Sequence, residues 1–133
     1  QYAFYDEGTA GRMLTPEDLP ALPGDVDAVF FGGISLVSEP CGTAYEALMM
    51  REAPKRVVMI DPNVRPGFVT DETAYRGRIG RMLAQADIVK VSDEDLDWLF
   101  GPGHVELLLV LVVGRRSGVA LAAGPDFADQ VPI

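Results

Sequence analysis

Three short stretches hold the residues whose types and spacing could do chemistry: Gly32 to Leu36 (GGISL), Asp61 to Pro66 (DPNVRP) and Lys90 to Asp95 (KVSDED). In the second, Arg65 can grip a phosphate through two parallel N–H donors, and Asn63 can both donate and accept hydrogen bonds. Asp61 either joins that chemistry or caps a turn, and Arg65 is either a ligand contact or a surface cation held by Pro66. In the third, Lys90 stands near the end of an apolar run, where an ammonium is costly without an anionic partner. Ser92 and Asp95 are spaced for a reciprocal helix cap as well as for a polar site. One cysteine, Cys41, and one histidine far from it, His104, exclude a zinc centre of ordinary spacing. Any metal would be a hard ion on carboxylates, such as magnesium.

Each stretch follows a run that reads as a strand. Ala28 to Phe31 is continuously apolar and ends in Gly32 and Gly33, as a strand buried on both faces would. Residues 56–60 and 87–91 read as two more. Between them, Cys41, Ala44, Tyr45, Leu48 and Met49 recur at helical spacing until Pro54. Tyr75, Ile79, Met82, Leu83 and Ala86 do so behind a cap at Thr70 or Asp71. A third helix starts at Ser92, with Leu96, Leu99 and Phe100 expected to face inward. Strict strand-helix alternation implies parallel strands with right-handed crossovers, an α/β domain. Ligands of such sheets sit at the carboxyl ends of the strands, where the three stretches lie.

The flanks are less regular. Residues 1–14 read as a small hairpin turning at Asp6, Glu7 and Gly8, and Thr15 to Pro20 as a short helical connector. Residues 107–113 and 119–123 read as two further strands. The connection from Trp98 to the first of them is too short for a packed helix.

The chain has 133 residues, with 11 Lys and Arg against 20 Asp and Glu, a net charge of −9. That excludes a nucleic-acid binder, which needs clustered cations. A hydrophobic content of 48% predicts a buried core rather than disorder. The longest apolar stretch is far short of a membrane span, and with a lone cysteine and no signal-like start the expected location is the cytoplasm.

Taken in order, YAFYDEGTA, FFGGISL, IDPNVRP and ADIVKVSDEDLDWLFG resemble the ribokinase-like carbohydrate kinases, in particular the bacterial fructokinase branch, over Tyr2 to Gly101. The resemblance implies a three-layer α/β/α fold with a mostly parallel sheet and part of a small β lid. It assigns residues 1–14 to the lid and residues 15–133 to the kinase core. The implied reaction passes the γ-phosphoryl group of ATP to a sugar hydroxyl with magnesium, and relatives often dimerise through the lid. By the same resemblance, Phe4 and Tyr5 cover the sugar, unless they only stabilise the hairpin. Asp61, Asn63 and Arg65 match a D-x-N-x-R segment near the sugar and the transferred phosphate. Lys90, Ser92 and Asp95 match a segment where relatives carry N-x-x-E or S-x-x-E, linked through water to magnesium and phosphate. Gly114 stands at the threonine place of a T-x-G pair near the ATP phosphates, with Arg115 and Arg116 behind it; a tight strand turn is the plainer reading there.

Several features depart from the family pattern. Asp95 is one methylene shorter than the family glutamate, and Ser92 replaces asparagine. Asp6 stands where 2-keto-3-deoxygluconate kinases carry an arginine for the sugar acid, which favours a neutral ketohexose such as fructose over that acid. The G-A-G-D segment that supplies the anion hole and catalytic base has no counterpart in this sequence, nor has the N-terminal sugar-recognition segment, so an incomplete kinase is expected. Two other classes compete. One is a non-catalytic α/β binding domain in which these motifs are only turns and caps. The other is a dinucleotide-binding oxidoreductase, weak because Gly32 and Gly33 do not complete G-x-G-x-x-G.

Overall fold

The computed structural model of the protein describes residues 6–102, 109–113 and 120–121. Three parallel strands, β1 (Ala28–Gly32), β2 (Val57–Asp61) and β3 (Ile88–Val91), are followed by antiparallel β4 (Leu109–Val113) and β5 (Ala120–Leu121), in spatial order β1 to β5. Helix α1 (Cys41–Glu52) links β1 to β2, α2 (Glu72–Leu83) links β2 to β3, and α3 (Asp93–Phe100) follows β3. The expected alternation is thus present.

The helices begin where side chains satisfy otherwise orphaned N–H groups. Asp71 accepts from the Ala74 N–H of α2 at 2.9 Å, and Ser92 and Asp95 form the reciprocal box at the start of α3. Replacing Asp71 by alanine is expected to lower stability by about 1 kcal/mol, read as a shift in the denaturant midpoint. Gly101, at φ 96°, supplies the left-handed residue that ends α3.

Phe31, Ile60 and Val89 lie in register across the sheet, and with Met49, Tyr75, Ile79, Met82 and Leu96 they form one core. Members of all three helices belong to it. On the opposite face Phe30 is 61% exposed and Val57 is also exposed, so the expectation that β1 is buried on both sides does not hold among the described residues. The apolar run marks β-propensity at Phe30; the helices described here cover only the side to which Phe31 points.

Two other expectations are corrected. Phe100 is exposed, because the buried arc of α3 is rotated toward Asp95, Leu96 and Leu99. Trp98 flanks that arc, meeting Tyr75 edge-on at 5.8 Å and lying under the Arg76 guanidinium. Residues 6–14 form turns rather than the second strand of a hairpin. There the Thr9 hydroxyl donates to the Asp6 carbonyl at 2.8 Å, the Met13 N–H to the Thr9 carbonyl at 2.9 Å, and Arg12 pairs with Asp6 at 3.0 Å. Local side-chain bonds replace a strand ladder.

Two buried arginines tie loops to helices. Arg56 donates to Glu52 at 2.7 Å and to the Pro23 carbonyl at 3.0 Å, fixing the segment that enters β1. Arg78, from α2, reaches the Leu36 carbonyl at 2.8 Å and Thr43 at 3.1 Å, and pairs with Glu39 and Glu46.

Candidate active site

Beyond the carboxyl end of β2, residues 62–65 form an irregular loop with alternating burial. Pro62 and Val64 point inward, while Asn63 and Arg65 are exposed. Asn63 takes the left-handed conformation, φ 39°, which asparagine tolerates better than most side chains. The loop presses on the end of β1: a Cβ on Gly33 would stand 1.5 Å from the Pro62 carbonyl oxygen. Only glycine fits there. Arg65 turns its guanidinium back to the Val64 carbonyl at 3.0 Å.

Pairing of Ile60 with Val89 sets Asp61 beside Lys90, and their side chains form an ion pair at 2.6 Å. This is the anion that Lys90 requires. One Asp61 oxygen holds the ammonium; the other, Oδ1, is buried with no hydrogen-bond partner among the described residues. An unsatisfied carboxylate oxygen beside a cation is a place where a ligand hydroxyl can donate. Ser92 and Asp95 follow two and five residues after Lys90. Asp95 accepts the Val64 N–H, so the second and third stretches are joined directly.

A neighbouring cleft of about 600 Å³ opens among residues 6–12, the turn after β1, the segment 67–71 and α2. Asp6, Arg12, Glu39, Asp71, Tyr75 and Arg78 line it. Its charges are largely matched: Asp6 with Arg12, Glu39 with Arg78. Burial pushes the Glu39 carboxyl up, but the hydrogen bonds from Arg78 and Thr43 outweigh it and hold the group below its usual range. Burial, with the Asp95 charge behind it, pushes the Tyr75 hydroxyl up to about 12, so it stays neutral. None of Asp61, Asn63, Arg65, Lys90, Ser92 or Asp95 lines this cleft.

Phe4, Tyr5 and Gly114 lie outside the described residues. The structure brings Asp61 to Lys90 and Asp95 to the Asn63–Arg65 loop; it does not bring Asn63 or Arg65 to a described partner beyond the loop. Magnesium does not fit the described side chains. No three carboxylate, histidine or cysteine side chains among them converge, and Asp95 is buried with both oxygens engaged. Sequence reasoning placed Gly33 in a candidate stretch without its contact to Pro62, and missed Arg78. For Arg78 a signal existed: it falls within the apolar arc of α2, between Tyr75 and Met82.

Over 97 residues, 73% of this chain and 30% of the relative, the sequence is 62% identical to a fructokinase of Rhizobium leguminosarum bv. trifolii. The chain belongs to the ribokinase-like carbohydrate kinases. A fructokinase-1 of Zea mays is 34% identical over 119 residues, 88% of this chain and 37% of its own length. The chain therefore spans about a third of the length of the curated relatives it matches. Among solved structures, an aminoimidazole riboside kinase from Salmonella enterica, complexed with aminoimidazole riboside and an ATP analog, is similar at a TM-score of 0.62 and 28% identity. It covers 70% of this chain and 31% of that one. A Vibrio cholerae fructokinase bound to fructose, ADP and calcium shares the fold at a TM-score of 0.61 and 23% identity, over 71% of this chain and 30% of that one. No protein-family model matches. The α/β class expected from the motifs, with its parallel strands, is thus the observed one; among the described residues helices cover one face of the sheet.

Proposed function

We propose that this chain is part of an ATP-dependent sugar kinase acting on fructose or a similar neutral ketohexose. The observation that carries the reading is the Asp61–Lys90 ion pair at the carboxyl ends of β2 and β3, from which the Asn63–Arg65 loop runs on and is held by Asp95. The bacterial fructokinase relative supports the choice of sugar.

In this reading the free Asp61 oxygen accepts from a sugar hydroxyl, and the ion pair with Lys90 holds that carboxylate in place. Asn63 and Arg65 face the transferred phosphoryl group, whose charge Arg65 neutralises with paired N–H donors. Ser92 and Gly114 stand on the nucleotide side, and Phe4 and Tyr5 over the sugar. Residues 1–14 act as lid and residues 15–133 as core, in a cytoplasmic protein that pairs through its lids. Magnesium accompanies the nucleotide in phosphoryl transfer; no described side chain is assigned to hold it. No helix among the described residues is long and apolar enough to cross a membrane.

The test is fructose-dependent ADP release by the complete polypeptide, with ribose and 2-keto-3-deoxygluconate as competitors. Release with fructose alone or foremost is expected; no release with any sugar would sink the proposal. Replacing Arg65 by alanine should lower turnover more than about tenfold, roughly 1.4 kcal/mol of transition-state stabilisation. Unchanged kinetics would remove Arg65 from the site.

A further inference from the structure

The family resemblance would link Asp95 through water to metal, yet its environment is that of a structural tie. It is only 4% exposed. Its Oδ1 accepts the Val64 N–H at 2.6 Å, and its Oδ2 accepts the Ser92 N–H at 3.3 Å. Its own N–H donates to the Ser92 hydroxyl at 3.1 Å, closing the cap of α3. A carboxylate so placed has little room for a hydration shell, and the short charge-assisted bond to Val64 is the strong kind.

We propose that Asp95 is the positioning residue of the phosphate-side loop: it clamps the Val64 amide to the N-terminus of α3, and so sets Asn63 and Arg65 on either side of that amide. The inference rests on the kinase reading of this same loop. It departs from a metal-linked role for the residue. The clamp explains how Val64 stays buried between two exposed neighbours, and how Asn63 is held at φ 39°. Without it, the Val64 N–H would be a buried donor with no acceptor, and the loop would move to find one.

Two readouts on the complete polypeptide test the proposal. The first is amide hydrogen exchange at Val64, without nucleotide, sugar or metal. Asp95→Ala should speed exchange there about tenfold or more over wild type. Asp95→Asn should fall between, because its amide oxygen can still accept from Val64 while its NH2 group faces the Ser92 donor. Should the alanine variant fail to fold, the asparagine variant still decides. Val64 exchange unchanged in both variants overturns the clamp.

The second readout is the magnesium dependence of ADP formation. In Asp95→Asn, kcat should fall about tenfold while the half-saturating magnesium concentration stays within about twofold of wild type. A large rise in half-saturating magnesium with normal Val64 exchange would restore the metal-linked role. A wild-type protein that phosphorylates no sugar would sink the kinase reading instead, and the exchange measurement would still decide whether Asp95 holds the loop.

Discussion

Replacing Gly33 by alanine should destabilise the protein by about 3 kcal/mol, the upper end of what an overpacked site costs, and should lower turnover with it. The added Cβ would stand 1.5 Å from the Pro62 carbonyl oxygen and 2.4 Å from its carbonyl carbon. Both are backbone atoms, so no rotamer change relieves the contact. Either the end of β1 or the 61–65 loop must shift, and Pro62 is itself fully buried. A shift of the loop pulls Val64 from Asp95 and displaces Arg65. The neighbouring glycine is the control. A Cβ on Gly32 meets nothing nearer than the Phe30 ring at 4.0 Å, so Gly32→Ala should leave the denaturant midpoint almost unmoved. Equal midpoints for the two variants would mean that strand and loop do not touch in this way.

The second large effect is expected at Arg78. Its side chain is 8% exposed and serves the Leu36 carbonyl, Thr43, Glu39 and Glu46 together. Arg78→Met keeps the apolar stem but removes every donor, leaving the buried Leu36 carbonyl without this partner, Glu39 with Thr43 alone and Glu46 with Arg81 alone. Breaking a buried pair from one side costs about 3–5 kcal/mol. Because Glu39 is more than half exposed and water screens it, the loss should lie near the lower figure. Arg81 shares Glu46 with Arg78 but is 60% exposed, and Arg81→Met should cost about 0–1 kcal/mol. Equilibrium unfolding in urea separates the two.

Acid should narrow the Arg78 difference. Glu39 is held below its usual range in the folded chain. The stability it contributes is therefore full above the ordinary carboxylate pKa and lost as pH falls through the lowered folded value. Below that window the wild type loses part of what Arg78 provides, while the methionine variant has only the Thr43 bonds to Glu39 to lose. A gap that widened in acid would contradict the Glu39–Arg78 pairing.

Much of this was legible in the sequence because it is local. The alternation of apolar runs with helical spacing determined three strands, three helices and their parallel order. Ser92 with Asp95, and Thr70 or Asp71, announced caps through side chains that act within a few residues; the structure chose Asp71. The order of YDEGTA, GGIS, DPNVRP and KVSDED determined the family. An anionic partner for Lys90 was also favoured by residue type alone, since an ammonium near the end of an apolar strand is costly unpaired; in the structure its side chain is 39% exposed.

Only the tertiary structure decided which group meets which. That Asp61 is the partner of Lys90 depends on the register of β2 against β3, and these residues are far apart in the chain. That Asp95 spends its carboxylate on Val64 depends on the path of a loop with two prolines, which periodicity cannot describe. Gly33 looked like any glycine after a strand until the backbone of Pro62 was found against it. The apolar run through Phe30 and Phe31 marked a strand equally well for one covered face or two, and likewise Phe100 sat at helical spacing yet outside the buried arc. Pattern reports what a segment can bury; coverage and contact are set by where the other segments pass.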